Sequence, residues 1–322
     1  MKKLRLKFKH YSKFDKKNFT FVYLLILLPI LQFILFWFYV HIDSFVLAFQ
    51  AKGTGAFTWD NFSAVFRNFY NNPDSEKNIS SMIGRSLILW SISNCLAFPI
   101  ALASTYVLYR RIIGHYAFRV IFSIAGIVGA VVWISLLKGV FGPTNNKIVI
   151  YMLQNWFHVN LPQAAIEQGI FAASETAFPA LCAITFLRGI AGGSVIVTGA
   201  YAKIPPELME AAKLDGLDFW GSFFHVALPC SWPTISTLLT ISLCSMLVAD
   251  GNVYLLTNGR GGAGMSTMGY YLYTLTVDIS KNPANANYGY AAAVGIVITM
   301  ISIPVVLIGR RIITKVIPTV EV

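Results

Sequence analysis

The residues best equipped for chemistry lie in 203–229, a polar stretch between two long apolar runs. It holds Lys203, Glu207, Glu210, Lys213, Asp215, Asp218 and His225. Its own punctuation sets its shape. Pro205 and Pro206 suit a helix start, where a first-turn N–H needs no intrahelical partner. Glu207 and Glu210 follow where a helix N-terminus favours negative charge. Gly216 can supply the left-handed residue that ends this helix, and Asp218 can cap a second short helix running from Phe219 towards Val226. Leu228-Pro229 then leads into the next apolar run. The pattern predicts a helix–turn–helix at a membrane face with an exposed charged surface. It does not predict a reaction centre. The histidines, His10, His41, His115, His158 and His225, are scattered, and no two carboxylates face each other at helical spacing within an apolar run.

A second set of polar residues sits in or beside the apolar runs. Arg188 falls inside one run and Asp250 at the outer end of another. Ionisable groups at membrane depth are costly, so by default they face the bundle interior or a polar cavity. For Arg188, a pairing between helices or a bond to backbone carbonyls is an equal alternative. Gly189, Gly192 and Gly193 follow it and permit close helix approach or a local break. Arg85 and Lys138 lie nearer run ends, where snorkelling accounts for them. Ser231, Thr234, Ser236, Thr237, Thr240, Ser242 and Ser245 crowd one run. Such hydroxyls either bond their own helix backbone or line a wet surface. Asn252, Tyr254, Tyr270, Tyr271 and Tyr273 add amide and aromatic groups at its outer mouth, a combination that fits sugar hydroxyls and C–H faces. Cys95, Cys182, Cys230 and Cys244 have no metal-ligand spacing and read as reduced packing residues.

Glu210-Ala211-Ala212, three residues, Gly216, nine residues, Val226, one residue and Leu228-Pro229 resemble the EAA loop of binding-protein-dependent ABC importer permeases. Ile204 to Leu208 and Asp215 resemble the carbohydrate-uptake, maltose-type branch. Phe57 to Phe62 and Thr257 to Gly262 resemble two further segments of sugar permeases. The resemblance covers nearly the whole chain from about residue 20. It implies the type I importer permease fold and assigns Glu207, Glu210, Ala211, Ala212, Asp215, Gly216, Leu228 and Pro229 to coupling with an ATPase. It also implies a second permease subunit, two ATPase subunits and an extracytoplasmic solute-binding protein as partners. Two residues depart from the family pattern: Arg85 stands where Asn is frequent, and Ala125 where proline is usual.

The elements that must position these residues are membrane helices. The chain has 322 residues, 56% hydrophobic and 12% charged, and its mean hydropathy is +0.63. Soluble domains carry about a quarter charged residues. The apolar residues come in long blocks, read as six spans at roughly 20–48, 82–109, 117–140, 173–201, 229–250 and 286–310. Basic residues flank alternate loops: Lys2 to Lys17, then Arg110, Arg111 and Arg119, then Arg310, Arg311 and Lys315. The positive-inside rule therefore places both termini and residues 203–225 in the cytoplasm. The formal charge of +11 is spread beside the spans, which fits leaflet anchoring and argues against a nucleic-acid patch. The basic start, with Leu4, Leu6 and Phe8, reads as a surface segment on anionic lipid and not as a cleaved signal peptide.

The expectation is an all-α polytopic protein. A basic cytoplasmic segment occupies 1–19, a permease domain 20–312 and a cytoplasmic tail 313–322. Gly259 to Gly264 fits G-x-G-x-x-G but follows no strand, and no G-x-x-x-x-G-K-[ST] occurs. ATP and Mg²⁺ would be bound by partner chains, with no metal or cofactor on this one. The function expected is the permease subunit of a sugar or oligosaccharide importer, a transport subunit and not an enzyme. An importer permease for another solute, a proton-coupled carrier and a membrane-embedded enzyme are the alternatives. Cysteines introduced at Asn145 or Asn258 should react with an impermeant thiol reagent from outside the cell, and one at Lys213 should not. Outside labelling at Lys213 would overturn this topology.

Overall fold

A computed structural model describes residues 13–70, 78–112, 114–141, 147–156, 158, 160–171, 173–249, 252–257, 264–281 and 287–316. These residues are helical apart from turns and one isolated antiparallel bridge between Gln50 and Phe57. Helices satisfy their own backbone groups, which a bilayer core demands. Asp250, the segment 1–12, the Gly-rich turn at 258–263, the loop residues Asn145 and Asn146 and the tail 317–322 lie outside the described residues.

The first span comprises α1 (Lys13–Gln32), a π-turn (Phe33–Phe38) and α2 (Tyr39–Ala48). α3 (Asp60–Tyr70) follows it. The second span is α4 (Ile79–Ser91), a π-turn (Ile92–Ala97) and α5 (Phe98–Tyr109). α6 (His115–Ile127) and α7 (Ala130–Phe141) come next, then the short α8 (Lys147–Asn155) and α9 (Gln163–Gln168). α10 (Ser174–Gly192) and α11 (Ser194–Ala202) form another span, joined through Gly193. α12 (Pro206–Leu214) precedes α13 (Phe219–Ser222), which runs through a π-turn (Phe223–Ala227) into α14 (Leu228–Cys244). α15 (Val253–Thr257), α16 (Met268–Lys281) and the long α17 (Tyr288–Val316) complete the chain.

Among the described residues, five helices are long and apolar enough to cross a membrane: Phe21–Ala48, Ile79–Tyr109, Ser174–Ala202, Phe219–Cys244 and Tyr288–Lys315. The expected span at 117–140 is not one helix. Val128 is extended, with ψ of 124°, and splits the run into helices of 13 and 12 residues. Each half falls short of the ~20 residues a crossing needs. Gly126 and Gly129 weaken the helix on either side of that point. The expected span at 229–250 also shifts, beginning at Phe219 and ending at Cys244. The second short helix is therefore the first turn of this span. The π-turn explains the continuity. A proline ring collides with the carbonyl four residues back, and widening that turn absorbs the clash. Pro229 follows the π-turn 223–227 by two residues, and Pro99 follows the π-turn 92–97 at the same distance.

Three apolar clusters hold the bundle. Ala48, Val65, Met82, Met246, Met268 and Val294 join α2, α3, α4, α16 and α17 at one end. Asn61 staples the α2 exit there, donating from Nδ2 to the carbonyls of Ala48 and Gln50 at 3.0 and 2.9 Å. Tyr270, Met265, Leu181 and Ile134 belong to a neighbouring cluster. Leu102, Tyr106, Tyr201, Met209, Phe223 and Ile235 form the third, at the end bearing residues 203–229.

Gly189 permits a close approach between spans. A Cβ added there would lie 2.7 Å from the Ala97 Cβ, on the π-turn of the second span. Gly189→Ala should therefore destabilise the protein by ~1–3 kcal/mol, the usual cost of overpacking. Gly199→Ala, where a Cβ meets nothing within 4 Å, should cost nothing. Thermal aggregation in detergent measures both. Equal midpoints for the two variants would contradict the packing described.

Candidate functional site

The segment 203–229 folds as its residue types dictate. Pro205 is the N-cap of α12 and Pro206 its first residue. Gly216 ends it at φ +77°. The Gly216 N–H donates to the Lys213 carbonyl at 3.1 Å and the Leu217 N–H to the Ala212 carbonyl at 3.0 Å. This pair of bonds is the Schellman closure, which leaves few helix-end carbonyls orphaned. One residue later Asp218 caps α13, accepting the Gly221 N–H at its Oδ1 at 2.6 Å. Two caps thus fix the turn between the helices within three residues.

α12 has an inner and an outer face. Met209 and Ala212 are buried, and Met209 joins the cluster of Tyr106, Tyr201 and Phe223. Burying a Met side chain stabilises by roughly 1.5–3 kcal/mol. Tyr106 sits at the centre of an aromatic set, with ring centroids 5.1 Å from Phe219, 5.1 Å from Phe223 and 5.9 Å from Tyr201. Arg110 lies over the Phe219 ring at 5.9 Å, a cation–π contact from the end of the second span. The Tyr201 hydroxyl donates to the Leu102 carbonyl at 3.3 Å. α12 is thereby seated on the ends of three spans. Glu207, Leu208, Glu210, Ala211, Lys213 and Asp215 face outward, and Leu214 is 89% exposed. Of the two alanines assigned to coupling, Ala211 is on the outer face and Ala212 supports the chain's own core. Leu228 and Pro229 are half-buried at the start of α14, behind α13.

The second site is a cavity of about 390 Å³ among the second span, α7, α10, α14 and α15. Its volume falls in the range of small-molecule sites, ~300–1,000 Å³. Arg188 and Asn252 both line it. Tyr254 and Tyr270 belong to the adjoining apolar cluster instead. Tyr270 is 6% exposed, and the Tyr254 ring packs edge-on to Tyr273 at 4.5 Å. Arg85 bonds the Ser266 carbonyl from Nη1 at 3.4 Å.

The remaining polar lining comes from Ser93, Asn94 and Thr185, which sequence reasoning passed over, and from Ser242 of the hydroxyl-rich run. Asn94 and Ser242 tie two spans together. The Ser242 hydroxyl donates to Asn94 Oδ1 at 2.7 Å and accepts from Trp90 Nε1 at 3.0 Å. Asn94 Nδ2 donates to the Trp90 carbonyl at 2.9 Å. A smaller cavity of about 160 Å³ shares Ser93, Asn94, Thr185 and Ser242 with the larger one. Three hydroxyls of α14 bond their own helix, Ser236 and Thr237 to the Pro233 carbonyl and Thr240 to that of Ser236, and just past its end Ser245 bonds that of Ser242. An available signal for the missed residues was an amide, Asn94, in mid-span five residues before a proline. Trp133 and Phe98 add aromatic faces, and the Trp133 indole N–H is buried with no acceptor among the described residues.

Comparisons with known proteins agree with this architecture. The arabinooligosaccharides transport system permease protein AraP of Bacillus subtilis is 25% identical over 298 residues, covering 88% of this chain and 85% of its own. The polygalacturonan/rhamnogalacturonan transport system permease protein YteP of the same organism is 24% identical over 306 residues, covering 92% and 88%. The crystal structure of a bacterial ABC transporter that imports the acidic polysaccharide alginate contains a similar chain. The TM-score is 0.72 at 20% identity, over 94% of this chain and 98% of that one. A bacterial alginate ABC transporter in complex with an alginate pentasaccharide-bound periplasmic protein gives 0.72 at 21% identity, over 95% and 98%. At that identity the likeness establishes the fold. Residues 96–320, which include α12, the caps around Gly216 and most of the cavity wall, match the family described as the inner membrane component of binding-protein-dependent transport systems, and the chain belongs to that family.

Proposed function

We propose that this chain is the permease subunit of an ATP-driven carbohydrate importer. It passes a sugar or oligosaccharide, delivered by an extracytoplasmic binding protein, through the cavity between its second span and α7, α10 and α14. A second permease subunit completes the pathway, and two separate ATPase subunits bind ATP and Mg²⁺. α6 and α7 together supply the sixth crossing as a discontinuous span, with both termini cytoplasmic. Relatives named for the transport of arabinooligosaccharides and of polygalacturonan and rhamnogalacturonan support the substrate class.

The observation that carries the coupling role is the outer face of α12. Glu210, Ala211 and Leu214 are exposed there, while Met209 and Ala212 behind them are buried, Met209 in an aromatic seat. A fully exposed Leu on a firmly held helix suits a partner surface. Force applied to α12 passes directly to α5, α11 and α14, whose other ends reach the cavity. ATP binding can bias two states of the bundle only through contacts that differ between them, and α12 is placed to make those contacts.

Glu210→Lys places a cation where a carboxylate would meet the ATPase, and should weaken docking by ~1–3 kcal/mol. Gly216→Val forces a β-branched residue into positive φ, while Gly216→Asn keeps a residue that tolerates it. No atom lies within 4 Å of the Gly216 Cβ position, so the effect of Val is conformational. Glu210→Lys and Gly216→Val should reach the membrane, lose ATPase subunits on purification, and lose uptake and stimulated ATP hydrolysis together. Gly216→Asn should keep most of each. Wild-type uptake and ATPase retention in both damaging variants would refute the coupling assignment.

A further inference from the structure

Arg188 is the charged residue that lines the cavity among the described residues, and no carboxylate among them pairs with it. We infer that the saccharide carried through this cavity is acidic, and that Arg188 binds its carboxylate. The inference rests on reading the cavity as a saccharide pathway, and it names the substrate class of that pathway.

The setting argues for an anionic ligand. A guanidinium within a membrane span is expensive unless a counter-charge or a polar environment meets it. A neutral sugar needs only hydroxyl and amide partners, and Ser93, Asn94, Thr185, Ser242 and Asn252 already supply those. Arg188 adds a planar fork of donors that matches a carboxylate in two parallel bonds. Its surroundings leave room for that approach. Gly189, Gly192 and Gly193 follow it on the same wall, and beyond Gly192 a Cβ would meet nothing within 4 Å. On the other side stands Trp133, whose ring can cover the C–H face of a pyranose. Carboxylate at the guanidinium, hydroxyls at the Asn94–Ser242 pair and a ring face on Trp133 together describe a uronate residue. The purely structural role for Arg188, a tie between helices, has no bond to support it among the described residues. The tie between the second span and α14 is made by Trp90, Asn94 and Ser242 instead.

The test uses the whole importer, purified with its partner permease, ATPase and binding protein and reconstituted into liposomes. The probes are labelled trigalacturonate, its methyl ester, which keeps the rings and loses the charge, and neutral arabinotriose. Uptake is normalised to the occupancy of the binding protein by each probe. Wild-type protein should carry trigalacturonate well above the ester. Arg188→Gln should lower trigalacturonate uptake by about tenfold or more, the size expected from losing one charge-assisted pair. It should lower the normalised uptake of the ester far less than that of trigalacturonate, and Arg188→Lys should recover part of the loss. Equal uptake of acid and ester, or unchanged trigalacturonate uptake in Arg188→Gln, would overturn the inference while leaving a carbohydrate permease. So would loss of intact complex in Arg188→Gln, restored by Arg188→Lys without any acid preference, since Arg188 would then be a helix tie. Uptake of arabinotriose alone would also overturn it. Failure of every saccharide, with the complex assembled, would refute the carbohydrate reading itself.

Discussion

The seat of α12 on Tyr106, Tyr201 and Phe223 is the contact on which the rest of the structure depends. A nine-residue helix is marginal by itself in water. It holds because Met209 is buried in an aromatic cluster built from the ends of α5, α11 and the π-turn before α14. Its exit is fixed by the Schellman bonds at Gly216 and its successor by the Asp218 cap. Without that seat the exposed Glu210 and Leu214 would belong to a loose loop. With it, they form the outer surface of a body that includes the ends of three spans.

The cavity depends on irregularities in those same spans. A π-turn sets Ser93 and Asn94 on the cavity wall, two residues after it ends comes Pro99, and Gly189 lets α10 approach the turn within the reach of a single methyl group. The break at Val128 and Gly129 sets Trp133 and Leu137 on the opposite wall. Departures from regular helix at membrane depth are tolerated where they are buried in protein or line a cavity, and here they line one. The Asn94–Ser242 hydrogen bond stands between the larger and the smaller cavity, so the boundary between them is polar and can be remade without exposing backbone to lipid.

Much of this was legible in the sequence because its signals are local. Pro205-Pro206, Gly216 and Asp218 act through their own φ angles and capping bonds, and each is found in the role its chemistry predicts. Long apolar runs gave the spans, with ends that moved where a π-turn joined the loop helix to α14. The break at Val128 was hidden because apolar residues continue through it and only two glycines mark it. The two faces of α12 were also hidden, since Ala211 and Ala212 are the same residue and differ only in what lies behind them. Tyr254 and Tyr270 looked like ligand aromatics by type, but burial is a tertiary property, and both pack into an apolar cluster. Asn94 and Ser242 carried a weak signal, because single polar residues in a span usually bond their own helix.

The central claim is that α12 and the span ends beneath it move as one body and that this motion reshapes the cavity. Spin labels on the exposed residues Lys213 and Thr237 would report distances within that body, and labels at Leu136 and Ile241 distances between α7 and α14, in the reconstituted importer with and without ATP. The account predicts a constant distance between Lys213 and Thr237 and a changed one between Leu136 and Ile241 when ATP binds. A shift between Lys213 and Thr237 with no change between Leu136 and Ile241 would show that α12 moves by itself, and would contradict the account.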